Sequence, residues 1–121
     1  MVLFASGCGD STSPVFSPSV AAGTYVLASV TGRGPETGSF ALSPDGSAMR
    51  RVRYGGIYAG VDYVAIGTFV ITPDSIVFSL REDAGRSQYI WRVQGERTSD
   101  AFTIHYPDGA DAMVAETYRR Q

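Results

Sequence analysis

The sequence contains no lysine and no asparagine, and it has a single cysteine, a single histidine and a single tryptophan among its 121 residues. All 10 basic residues are therefore arginine, which we attribute to the codon usage of a GC-rich genome. One cysteine excludes an intrachain disulfide and a cysteine-rich metal site. A net charge of −2 does not favour nucleic acid or another polyanion as a partner. The 44% hydrophobic content is typical of a folded chain, and the length of 121 residues predicts a single domain.

The sequence offers few groups for catalysis. His105 can be grouped with Asp100, Asp108 and Asp111 as a metal or acid–base site, but one histidine among turn aspartates lacks the ligand spacing of a zinc site. We interpret His105 as an outward-facing strand residue beside a turn. There is no Gly-x-Ser-x-Gly motif, and nothing singles out a carboxylate pair for glycoside hydrolysis. We therefore expect no catalytic residues, no metal and no cofactor, and a protein that is not an enzyme.

The clearest structural signal is a hairpin over residues 61–80. A β-branched and aromatic run is interrupted by Thr-Pro-Asp-Ser at residues 72–75, which is a typical turn sequence, and then resumes. Side chains alternate between the two faces of a strand, so a slip of one residue would turn the apolar face into water. The predicted pairs on that face are Ile71 with Ile76, Phe69 with Phe78, and Gly67 with Leu80.

Seven short connections divide residues 23–121 into eight predicted strands, and no segment has helical spacing. Sequential strands with short links pair antiparallel with their neighbours. We therefore predict an all-β domain, an eight-stranded antiparallel up-and-down barrel or a flattened form of one. A Greek-key β-sandwich is the alternative, because a period of two does not report strand order. The predicted strands cover residues 23–30, 39–42, 48–54, 61–71, 76–80, 88–94, 101–106 and 111–118, and residues 119–121 are expected in solvent.

The N-terminal residues 1–22 are predicted to lie outside the barrel domain. A short apolar run leads to Ala-Ser-Gly-Cys at residues 5–8, which resembles the lipobox of bacterial lipoproteins. The resemblance implies cleavage before Cys8 and a lipid anchor on its sulfur. A start codon assigned too late would explain why the apolar run is shorter than the roughly 7–15 residues of a signal peptide. Residues 9–22, rich in Ser, Thr and Pro, are predicted to be a flexible tether.

Three short motifs in the domain are similar to those of small bacterial lipocalin-like domains, many of which belong to envelope lipoproteins. The resemblance covers about residues 23–80 by motif and the remainder by strand count. It implies a barrel with an apolar interior, and it carries no catalytic set. The motifs are Gly23-Thr24-Tyr25, the F-x-L-x-x-D-G unit of Phe40, Leu42, Asp45 and Gly46, and Gly67-Thr68-Phe69-x-Ile71 followed by Asp74, Ile76 and Phe78.

Aromatic residues give the best candidates for a binding site. Several flank the glycine-rich stretch at residues 55–60, which we expect at the barrel mouth, where loops carry function. We expect a small apolar ligand there, with the membrane as the other partner through the lipid anchor. A structural or protein-interaction module with a filled core is the alternative, since filled cores are usual in small domains. The candidate ligand-binding residues are Tyr54, Tyr58, Tyr63, Tyr89 and Trp91.

Three arginines lie close together in the third predicted strand. Arg51 and Arg53 share one face, and Arg50 lies on the other. We expect Arg51 and Arg53 on the solvated outside of the barrel. If they pointed inward, a polar ligand pocket would follow, because buried charges need partners.

Overall fold

A computed structural model describes residues 16–56, 60–82, 90–108 and 112–121 of the chain. These residues form a short 3-10 helix, Pro18–Ala21, and eight β-strands. The strands are β1 (Gly23–Thr31), β2 (Thr37–Leu42), β3 (Ser47–Arg53), β4 (Asp62–Ile71), β5 (Ser75–Glu82), β6 (Trp91–Arg97), β7 (Ala101–Pro107) and β8 (Met113–Arg120).

The eight strands form a closed barrel in chain order, and β8 pairs with β1 to complete it. Every neighbouring pair is antiparallel, as short connections require. This confirms the up-and-down barrel and excludes the Greek-key alternative. Closure also removes exposed strand edges, which otherwise invite pairing with other chains. The β4–β5 hairpin has the predicted register, including Phe69 opposite Phe78 and Gly67 opposite Leu80.

One half of the barrel interior is filled with aromatic side chains. Phe40 lies at its centre, with ring centroids 4.5 Å from Phe78, 5.2 Å from Phe102 and 4.8 Å from Tyr118. Tilted and edge-on contacts at these distances are the favoured arrangements of aromatic rings. We call this end of the barrel, where β2 turns into β3 and β4 into β5, the closed end. The opposite end, where β3 ends and β4 begins, is called the mouth.

A β-bulge in β1 changes which side chains face inward. The pairing of β1 with β8 shifts between Leu27 and Ser29, so that one extra residue is inserted. Beyond the bulge Val30 pairs with Glu116, a buried residue, while Ser29 is exposed. Strict alternation predicts Ser29 on the same face as Leu27, which is wrong, because a period-two pattern takes no account of an inserted residue.

The segment before β1 covers the closed end. Phe16 forms a β-bridge with Ile71, and the Tyr25 hydroxyl donates to the carbonyl oxygen of Ala21 at 2.8 Å. Arg120 donates to three backbone carbonyl oxygens, and its guanidinium also lies 5.3 Å from the ring centroid of Tyr25. The expectation that Arg120 lies in solvent is wrong, because β8 continues past its predicted end at residue 118. The three acceptors are Val20, Ala22 and Ser99, at 3.1, 3.3 and 2.9 Å.

Strand β6 also runs further than predicted, to Arg97 instead of residue 94. Gly95, expected in a turn, lies in the strand opposite Ile104. Arg97 is buried, and it donates to the carbonyl oxygens of Thr72 and Pro73 at 3.0 and 3.1 Å. The turn between β4 and β5 is thereby held against β6.

Among the described residues, no helix has the length and apolar character that crossing a membrane requires.

Candidate functional site

A buried ion pair occupies the half of the barrel nearer the mouth. Arg50 follows Ala48 on the inner face of β3, and Glu116 follows Val114 on the inner face of β8. Only 7% of Arg50 and none of Glu116 is exposed to solvent. Strands β3 and β8 are not neighbours in the barrel, so this ion pair crosses the interior.

The Glu116 carboxylate accepts hydrogen bonds from three side chains. Nη2 of Arg50 lies 3.0 Å from Oε1 and 2.8 Å from Oε2. The Tyr118 hydroxyl donates to Oε1 at 2.5 Å, and the Tyr106 hydroxyl donates to Oε2. A buried carboxylate is tolerated only when it is paired and hydrogen-bonded, and this one has both kinds of partner.

The pKa values in this cluster keep each donor protonated. Burial raises the pKa of both Tyr106 and Tyr118 well above the ordinary value of a phenol, and the negative charge of Glu116 raises them further. Burial acts to lower the pKa of Arg50, but Glu116 and neighbouring tyrosines act to raise it, and the net shift of the pKa is upward. At neutral pH the Arg50 guanidinium is therefore charged, and the two tyrosine hydroxyls are neutral donors.

Trp91 covers the arginine on the side facing the mouth. The guanidinium carbon of Arg50 lies 5.0 Å from the centroid of the Trp91 ring, within the range of a cation–π interaction. Trp91 also contacts Tyr106 edge-on, with ring centroids 5.2 Å apart. The indole is half-buried at the start of β6.

Two cavities open beside Arg50 and Trp91. One, of about 260 Å³, is lined by these two residues with Tyr63, Ala65 and Leu80 among others. The second, also about 260 Å³, is lined by Arg50, Trp91, Tyr54 and Tyr106.

The structure brings together three of the residues that the sequence singled out. Tyr54 and Tyr63 contact each other edge-on, with ring centroids 5.5 Å apart, and both line the mouth with Trp91. Tyr58 and Tyr89 lie outside the described residues, as does Cys8.

Sequence reasoning missed the role of Arg50 and of Glu116. Arg51 and Arg53 are exposed on the outside of the barrel, as expected, and Arg53 forms an ion pair with Asp62 at 2.9 Å. The signal available in the sequence was the two-residue spacing within each strand. Arg50 lies two residues before Val52, and Glu116 lies two residues after Val114, so each charged side chain shares a face with an apolar one. Two opposite charges on inward positions of one barrel predict a buried pair.

His105 lies on the outer face of β7. Its Nε2 is 2.9 Å from Oε1 of Glu96 on the neighbouring strand, and both side chains are exposed. This cross-strand contact is separate from the Arg50 cluster, which lies inside the barrel. Among the described residues, no group of three or more His, Cys, Asp and Glu side chains is arranged to hold a metal ion.

Comparison with known proteins gives no match: no family model, no curated protein and no solved structure is significantly similar to the chain.

Proposed function

We propose that the chain is a non-enzymatic, ligand-binding lipoprotein of the bacterial cell envelope, with a lipocalin-like barrel. The barrel takes a small, largely apolar ligand into its mouth, beside Trp91 and the two tyrosines Tyr54 and Tyr63. The observation that carries the proposal is the pair of mouth cavities, both of which Arg50 and Trp91 line. Concave sites with aromatic walls and a few placed polar groups are typical of small-molecule binding.

The size of the cavities limits the ligand. Each measures about 260 Å³, below the range of about 300–1,000 Å³ that drug-sized ligands need. An apolar cavity of about 150 Å³ is large enough for benzene. The aromatic cluster around Phe40 fills the interior below the ion pair, so the part of the barrel that the structure describes has no channel there for a long acyl chain. The proposed ligand is therefore about the size of a substituted benzene ring.

The alternative is a structural or protein-interaction module that works through its surface. The specific observation in its favour is the same filled half, since Phe40, Phe78 and Tyr118 are almost fully buried there. The two functions make different predictions for the isolated protein: a ligand-binding barrel should hold a small molecule in its mouth, and a filled-core module should not.

The full chain, purified from a bacterial host, allows a direct test. Native mass spectrometry followed by organic extraction identifies any small molecule that co-purifies. Ala65→Leu fills the mouth cavity that Ala65 lines, and it should abolish binding. Thr68→Leu changes an exposed position on the same strand, and it should leave binding unchanged.

A small apolar molecule that is lost only in Ala65→Leu supports the proposal. A protein without any bound molecule that also ignores apolar fluorescent dyes would contradict it and favour the filled-core module. A discrete oligomer without ligand would point to assembly through the outer surface.

The envelope location depends on Cys8, and the geometry of the described residues is consistent with an anchor there. Residues 16–22 contact the closed end, through the bridge of Phe16 to Ile71 and the hydrogen bonds of Arg120. The chain from Cys8 to Phe16 spans at most about 28 Å when fully extended. A lipid on Cys8 would hold the closed end towards the membrane, with the mouth facing away from it.

Mass spectrometry of the N-terminal peptide from the native host tests this part. A diacylglyceryl thioether on Cys8 as the first residue supports the anchor. A mature protein that retains an unmodified Cys8 within a longer N-terminus would overturn it.

A further inference from the structure

The Arg50 guanidinium includes a buried donor that has no hydrogen-bond partner among the described residues. Its Nη2 donates to both oxygens of Glu116, but its Nε is buried and has no hydrogen-bond partner among the described residues. Buried donors in proteins are nearly always satisfied, so an exception calls for an explanation. Arg50 lines both mouth cavities, so a ligand in the mouth would contact its side chain.

The charge balance of the mouth argues against an anionic ligand. The positive charge of Arg50 is already neutralised by Glu116, which lies 2.8 Å away. The other charged residues lining the cavities are Arg81 and Glu82, which carry opposite signs. A ligand carboxylate would therefore enter a site with no net positive charge and lose its hydration, which is unfavourable. A neutral oxygen acceptor can take the free N–H without that cost.

The walls of the mouth favour a flat ring. Trp91 and Tyr63 present aromatic surface in one cavity, and Trp91, Tyr54 and Tyr106 do so in the other. Aromatic rings prefer offset or edge-on contact, and such pairs gain affinity beyond the burial of their area.

We infer that the mouth selects a small, uncharged aromatic molecule carrying a carbonyl-type oxygen, which accepts a hydrogen bond from Nε of Arg50. This inference rests on the proposed function, that the mouth binds a small ligand, and it adds the chemical class of that ligand.

Three ligands that share a p-tolyl group test it on the full chain: 4-methylbenzamide, 4-methylbenzoate and p-xylene. They present a neutral acceptor, an anionic acceptor and no acceptor. The indole N–H resonance of Trp91 reports binding at the site directly, because Trp91 is the single tryptophan. The amide should bind about tenfold more tightly than p-xylene, the expected gain from one hydrogen bond to a charged donor. It should also bind more tightly than the benzoate.

Two variants tie the preference to Arg50. Arg50→Lys keeps the positive charge beside Glu116 but has no Nε–H. The double variant Arg50→Met with Glu116→Gln removes both charges and leaves a side-chain amide, whose oxygen can accept from one tyrosine and whose NH2 group can donate to the other. In both variants the ratio of the affinity for the amide to the affinity for p-xylene should fall to about one, whatever happens to the absolute affinities. Circular dichroism checks that each variant is folded. If only one of the two folds, that variant alone is sufficient to test the role of Nε.

Equal binding of all three ligands, or a preference that survives in both variants, would refute the role of Nε while leaving the proposed function intact. Tightest binding of the benzoate would refute the neutral ligand. If none of the three shifts the Trp91 resonance, the proposed function fails together with the inference.

Discussion

Nη2 of Arg50 on β3 reaches both carboxylate oxygens of Glu116 on β8, 66 positions away in the chain, at 3.0 and 2.8 Å. The pair joins two strands that are not hydrogen-bonded to each other. It marks the boundary between the filled aromatic half of the barrel and the mouth. The charged pair thus has two roles, since it ends the core and it forms the floor of the candidate site.

Removing one member of this pair should be costly. Glu116→Gln leaves the Arg50 charge buried without a counter-charge, and we expect a loss of about 3–5 kcal/mol in the free energy of unfolding. Adding Arg50→Met should recover most of that loss, because the unpaired charge is then gone. The oxygen of the new side-chain amide can accept from one tyrosine, and its NH2 group can donate to the hydroxyl of the other. Urea denaturation, monitored by circular dichroism, measures the free energy of unfolding of the single and the double variant.

The matched control is Asp62→Asn, which breaks the exposed ion pair with Arg53. Exposed pairs contribute about 0–1 kcal/mol, so this variant should be close to the wild type. If Arg50→Met gave no recovery, the loss in Glu116→Gln would have to come from packing and not from an unpaired charge.

Folding stability should decrease above about pH 10. The pKa values of Tyr106 and Tyr118 are raised in the folded protein, whereas phenols in the unfolded chain titrate near a pKa of about 10. Above that pH the unfolded state has lost these protons and the folded state retains them, so rising pH favours unfolding. Below about pH 10 both states are protonated, and the contribution of these groups is complete.

The slope of unfolding free energy against pH checks this. Each tyrosine contributes up to about 1.4 kcal/mol per pH unit above about pH 10. Tyr106→Phe and Tyr118→Phe should each reduce this slope by up to about 1.4 kcal/mol per pH unit, because one fewer proton is released on unfolding. A slope unchanged in both variants would show that other groups cause the alkaline unfolding.

Local sequence signals predicted most of the fold. The turn at residues 72–75 and the alternation on either side of it determine the register of the β4–β5 hairpin, which the structure has as predicted. Strand count and short connections favoured the up-and-down barrel, but they left the Greek-key order open, and only the pairing in the structure excludes it. The β1 bulge near Ala28 was not predicted. An inserted residue changes which of the following side chains face inward, but it leaves the composition of the strand unchanged.

The candidate site was only partly predictable. Tyr54, Tyr63 and Trp91 were found because aromatic residues near a glycine-rich connection indicate a mouth. The partnership of Arg50 with Glu116 depends on barrel closure, which brings together β3 and β8 through space. No local pattern contains that information, although the parity of each charge within its own strand did indicate that both face inward.

Two glycines allow close approach of neighbouring strands. A Cβ on Gly67 would lie 1.9 Å from the carbonyl oxygen of Ser79, and one on Gly95 would lie 1.7 Å from that of Thr103. Gly67→Ala and Gly95→Ala should each destabilise the barrel by about 1–3 kcal/mol or more, because the backbone must move. Gly55→Ala is the control, since the added methyl would meet only the end of the exposed Glu36 side chain. Thermal or urea unfolding ranks the three variants, and a Gly55→Ala cost as large as the others would contradict this account.

Arg120 should be the residue that fastens the segment before β1 to the closed end. It donates to the carbonyl oxygens of Val20, Ala22 and Ser99 and covers the ring of Tyr25. Arg120→Met removes these hydrogen bonds, at an expected cost of about 1–3 kcal/mol.

The neighbouring Arg119→Met provides the control, because Arg119 is exposed and should contribute less than about 0.5 kcal/mol. Hydrogen exchange separates a local effect from a global one. In Arg120→Met, the amide of Ala22, which donates to the carbonyl oxygen of Ser19, should exchange much faster, while the amides of β4 and β5 stay protected. Equal acceleration throughout the barrel would mean that Arg120 stabilises the whole domain. No acceleration at Ala22 would mean that the bridge of Phe16 to Ile71 is sufficient to hold the segment in place.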